Sequence, residues 1–106
     1  LDCVNMINCP SRYLFCDEFI EECFTKLGPY IKSIHGKDVI MENAFTTVIR
    51  ETMPGKGIIN YQKVARLCES LGPDTPLFVE HLPDFESYRQ AAAYVREQAT
   101  LAGVKT

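Results

Sequence analysis

The sequence predicts an α/β fold in which strands and helices alternate around a parallel sheet. Short apolar segments and amphipathic helical stretches follow one another in the order strand, helix, strand, helix, strand, helix. Two of the helices end on the same signal, Gly28-Pro29 and Gly72-Pro73. Pro76 to Glu80 is a short, almost wholly apolar run, the pattern of a strand covered on both faces of a parallel sheet.

The elements follow from the residues. Leu1 to Ile7 reads as the tail of a strand running into a loop at Asn8-Cys9-Pro10-Ser11. The first helix has Asp17 and Glu18 at its start, where carboxylates favour the positive end of the helix dipole. Its apolar face is Phe19, Ile20, Cys23, Phe24 and Leu27, at a period of 3.6 residues. At Gly28-Pro29 glycine permits a left-handed residue and proline prevents continuation. Tyr30 to His35 is the second strand. A long connection follows, with a short helix expected over Glu42 to Glu51 and a turn at Pro54-Gly55-Lys56-Gly57. Asn60 caps a second helix, Tyr61 to Leu71, with Val64, Leu67, Cys68 and Leu71 on its buried stripe. After the apolar strand, Asp84 caps the last helix, which Gly103 ends. Its inner face is Tyr88, Ala91, Ala92, Val95 and Ala99.

Composition narrows the function. The chain has 106 residues, 46% apolar and 24% charged, which is globular rather than disordered. No apolar run reaches the roughly 18 residues of a membrane span. The formal charge is −3, from 14 acidic and 11 basic residues, and the basic residues are scattered. That balance argues against a nucleic-acid partner. Five cysteines, without a CxxC pair, read as reduced thiols of a cytoplasmic protein rather than as a disulfide or zinc framework. The chain opens on Leu1 at what reads as a strand end, so a fragment of a longer protein is expected.

Chemistry in α/β folds collects at the carboxyl ends of the strands. Asp2, His35 and Glu80 each stand at such an end. Two carboxylates and an imidazole make a mixed oxygen and nitrogen donor set, which suits a divalent ion. Each has a plain alternative: Asp2 as a loop cap, His35 as a satisfied core histidine. Glu80 is harder to explain in a core, because an apolar strand rarely ends in a buried unpaired carboxylate. Asn5, Lys37, Asp38 and His81 lie close by in sequence. Lys37 and Asp38 read most simply as a solvated ion pair. Gly55-Lys56-Gly57 resembles part of a phosphate loop but lacks the P-loop and dinucleotide patterns, and a turn is the simpler reading.

Several stretches together resemble the xylose isomerase-like TIM-barrel proteins, which include sugar phosphate isomerases and epimerases. They are Leu1-Asp2-Cys3-Val4-Asn5-Met6, Lys26 to Ile31, Ile34-His35-Gly36-Lys37-Asp38, Pro54 to Tyr61, and Pro76 to Leu82. The resemblance implies that residues 1–106 are the C-terminal part of a (β/α)8 barrel, about three parallel strands each followed by a helix. It implies a divalent metal, manganese first and otherwise magnesium, cobalt or zinc, on Asp2, His35 and Glu80, with a second Glu on a strand outside this chain. Glu80 would also carry a proton during isomerisation or epimerisation of a sugar or sugar phosphate beside a metal-polarised carbonyl. Asn5 stands where many epimerases of the family have His. Lys37 and Arg50 join Asn5 as expected substrate-binding residues. His35-Gly36-Lys37-Asp38 is similar also to the inosose dehydratases, so a lyase is the alternative, with a non-catalytic binding protein as the third reading. The implied partner is a small sugar or polyol, with a homo-oligomer for the full-length protein. The isolated fragment is expected to be inactive.

Overall fold

A computed structural model describes all 106 residues. It is an α/β structure with two separate two-stranded sheets. Strand β1, Ile34–Gly36, pairs in parallel with β4, Leu77–Val79. Strand β2, Asp38–Met41, pairs antiparallel with β3, Ile49–Thr52. The helices are α1, Pro10–Leu14; α2, Cys16–Leu27; α3, Tyr61–Leu71; and α4, Phe85–Leu101. No helix is long and apolar enough to cross a membrane.

The parallel ladder has a third member one residue long. The Leu1 amine donates to Ser33 O at 2.8 Å, and His35 N–H donates to Leu1 O at 2.9 Å. That is the parallel pattern, with Leu1 opposite Ile34. Leu1, Ile34 and Leu77 therefore stand side by side, since Ile34 is in register with Leu77. The expected first strand is confined to this contact, and the chain then turns into a 3-10 helix at Val4–Met6. The expected loop at Asn8 to Ser11 gives way to α1, which Pro10 starts at a position where the missing N–H costs nothing.

α2 buries Cys16, Ile20, Cys23 and Phe24, the anticipated face shifted towards its start. Gly28 does not turn left-handed: its φ is −42°, and the chain runs on through a 3-10 turn, Gly28–Tyr30. That turn takes Tyr30 out of the expected second strand, which is reduced to Ile34–Gly36.

The expected helix over Glu42 to Glu51 is a hairpin instead. Val39 and Ile40 in β2, and Ile49 and Thr52 in β3, are β-branched residues, which favour a pleated strand over a helix. α3 and α4 form as expected. Asn60 Oδ1 accepts from Lys63 N–H at 3.1 Å, and Asp84 Oδ1 from Ser87 N–H at 2.7 Å. Ala91 and Ala99 are buried on α4, whereas Tyr88 is exposed.

The core joins α2, β1, β2 and α3 through Ile20, Phe24, Ile34, Val39, Tyr61 and Val64. The parallel ladder is not covered on both faces: Phe78, at the centre of β4, is 56% exposed. Pleating sends alternate side chains to opposite faces, and here one of those faces is open.

Candidate metal centre

Parallel pairing brings three separate segments together. Asp2 follows the Leu1 contact, His35 lies in β1, and Glu80 directly follows β4. One ligand atom from each lies within 4.8 Å of the others. His35 turns Nδ1 towards both carboxylates, 3.0 Å from Glu80 Oε1 and 3.5 Å from Asp2 Oδ2.

The same two oxygens hold Lys37. Its Nζ is 2.9 Å from Asp2 Oδ2, 2.9 Å from Glu80 Oε1, 3.2 Å from Glu51 Oε2 and 2.9 Å from Asn5 Oδ1. Three ammonium protons thus meet four acceptors. The residue is 2% exposed. Burial works against its charge, but hydrogen bonds to Glu80, Asp2 and Glu51 hold its pKa above the ordinary lysine value. Burial likewise pushes the Asp2 carboxyl up, and Lys37 with the Asn5 N–H more than offsets it, leaving Asp2 below the usual range. Glu51 is lowered in the same way, by Lys37 and His81 against burial. Tyr61, buried on α3, donates its hydroxyl to Lys37 O at 2.6 Å and so fixes the backbone at this point.

Five of the six expected site residues converge: Asp2, Asn5, His35, Lys37 and Glu80. Arg50 does not join them. Its Nε is 2.6 Å from Glu42 Oε1, a contact along the hairpin. Strand pleating explains the difference, because Arg50 and Glu51 are neighbours in β3 and point to opposite faces. The residue that reaches the centre from β3 is Glu51, which sequence reading missed together with the role of His81. His81 Nδ1 is 3.0 Å from Glu51 Oε1, and its φ is +58°, a conformation uncommon outside glycine. Alternation along a correctly assigned β3 would have separated Glu51 from Arg50. A cavity of about 370 Å³ opens beside the cluster, lined in part by Lys37, Glu51, Glu80, His81 and Ser87.

Lys37 and Asp38 are not a solvated ion pair. Asp38 is 0% exposed and faces away from the centre, into the turn before α3. Its carboxylate accepts from the N–H groups of Val39 at 2.9 Å, Gly55 at 3.0 Å and Ile59 at 2.9 Å. Gly57 packs so closely that a Cβ there would lie 2.2 Å from Asp38 Oδ1. The Gly55-Lys56-Gly57 segment is therefore a turn wrapped on a carboxylate. Two of the backbone donors around it, Gly55 and Ile59, point at Asp38. The five cysteines are free thiols, and burial pushes Cys16 up to about 11 and Cys68 up to about 12.

None of the family models, curated proteins and solved structures compared with this chain matches it.

Proposed function

We propose that Asp2, His35 and Glu80 form a divalent-metal centre of a sugar or sugar-phosphate isomerase or epimerase. The observation that carries this reading is their convergence: one donor atom from each lies within 4.8 Å of the others, on three segments paired side by side. The donors fit the group. Two carboxylate oxygens and one imidazole nitrogen suit manganese, magnesium, cobalt or zinc, and manganese is our first choice. The oxygens also already surround a positive charge, the Lys37 ammonium. The wider architecture we propose is three consecutive strand–helix units of a (β/α)8 barrel, a reading supported by the parallel alignment of Leu1, Ile34 and Leu77.

A bound divalent ion would polarise the carbonyl of an α-hydroxy carbonyl compound and ease loss of a proton from the adjacent carbon. Glu80 would carry that proton, held through Oε1 by His35 and Lys37. Asn5 would orient a substrate hydroxyl, and the buried Lys37 would hold Asn5, Asp2 and Glu80 in place. His81 and Glu51 would border the adjoining cavity, whose size suits a small polyol. The same donor set also accommodates a dehydratase acting on a cyclic polyol ketone, which differs in product rather than in the centre itself.

Calorimetric titration of manganese into the chain tests the centre. Saturable binding to the parent that is lost in both His35→Ala and Glu80→Gln is the expected result. Binding unchanged in both variants would remove these residues from any metal site. Product analysis after incubation with ketoses and with inososes then separates isomerase from lyase.

A further inference from the structure

Lys37 is a buried ammonium set on the two oxygens, Asp2 Oδ2 and Glu80 Oε1, that also face His35 Nδ1. Its other two acceptors, Asn5 Oδ1 and Glu51 Oε2, belong to residues outside the donor triple. We propose that Lys37 is the resident cation of the centre, and that a divalent ion competes with it for Asp2 and Glu80. The inference rests on the metal-centre reading given above and adds a control on occupancy to it.

The argument is one of charge and of shared atoms. Asp2, Glu51 and Glu80 bring three negative charges into one small volume, and without a cation their mutual repulsion would spread them apart. Lys37 removes one of those charges and ties the carboxylates together. The donor triple is thus assembled without metal. An incoming dication draws on the same two oxygens and meets a positive charge already seated there, so part of its binding free energy is cancelled. Asn5 and Glu51 give the ammonium partners to keep when its bonds to Asp2 and Glu80 weaken. The backbone of Lys37 stays fixed throughout by the Tyr61 hydroxyl on its carbonyl. Lys37 is accordingly a positioning residue that sets metal affinity, and the metal it admits is held loosely enough to exchange.

The test is calorimetry with manganese on the parent chain and on Lys37→Met, each checked for folding by circular dichroism. Lys37→Met is expected to bind at least tenfold more tightly. Binding by Lys37→Met alone is the extreme form of the same result; it supports competition while showing that the parent does not work as a metal enzyme. Unchanged or weaker binding in folded Lys37→Met overturns the inference and leaves the metal-centre reading standing. Absence of manganese binding in both proteins overturns both. A second measurement needs no variant, should Lys37→Met not fold. In the parent labelled with ¹⁵N-lysine, saturating magnesium is expected to shift the Lys37 Nζ resonance and speed exchange of its protons. A resonance that does not change at saturation overturns competition.

Discussion

Lys37 and Asp38 are neighbours in sequence, both buried and both charged, yet their surroundings differ in kind. Asp38 is enclosed by backbone N–H groups of Val39, Gly55 and Ile59. Lys37 is enclosed by side chains that come from other segments: Asp2, Asn5, Glu51 and Glu80. Backbone donors cannot leave without unfolding the turn, so Asp38 belongs to the architecture. Side-chain carboxylates that are partly open to solvent can turn to water without unfolding a turn, so the Lys37 side is held less rigidly. A buried charge alone does not mark a functional site; what matters is whether its partners can be traded.

The largest test of that contrast is stability. Asp38→Ala leaves three backbone donors without their acceptor, two of them on the buried residues Val39 and Ile59. At about 1–3 kcal/mol for each unsatisfied buried group, the expected loss is about 3 kcal/mol or more. Lys37→Met is expected to cost less, about 1–2 kcal/mol, because the carboxylates it abandons are partly exposed and can turn to water. Urea unfolding of both variants checks the order. A Lys37→Met protein less stable than Asp38→Ala would erase the distinction between the two sides.

The two sides also differ in how much of them the sequence reveals. Asp2, His35 and Glu80 were legible because each follows or ends a segment expected to lie in a parallel sheet, and strand ends converge. Asn5 and Lys37 followed from nearness to those residues. Glu51 was not legible, since the segment around it was expected to be helical and a helix gives no reason to separate Glu51 from Arg50. Strand alternation does so at once, sending Glu51 to Lys37 and Arg50 to Glu42. The Asp38 cage was hidden for another reason. It joins Asp38 to backbone atoms 17 and 21 residues away, and backbone donors leave no side-chain signature. Helix boundaries at Asn60 and Asp84 were legible because their caps are local. The extent of β1 was not, because the 3-10 turn at Gly28–Tyr30 consumes residues that strand propensity assigns to the sheet.

The smallest expected effect is in the response to acid, where the two sides oppose one another. Asp2 and Glu51 lie below the ordinary carboxylate range in the folded chain. Their contribution to stability is therefore present above their unfolded pKa values and is lost as pH falls through the folded ones. Burial places Asp38 on the other side: its carboxyl is raised, against the pull of the Ile59, Val39 and Gly55 N–H groups. A raised carboxyl keeps its proton longer in the folded state, so acidification through that window adds stability. The net slope of the parent mixes both signs, and subtracting Lys37→Met isolates the site. The stability difference between parent and Lys37→Met is expected to shrink by about 1 kcal/mol or less between pH 6 and pH 3, since solvent screens partly exposed groups. Urea midpoints at the two pH values give the number. A difference that stays constant would mean that Lys37 does not depend on ionised Asp2 and Glu51, and the cluster would then be held by packing rather than by charge.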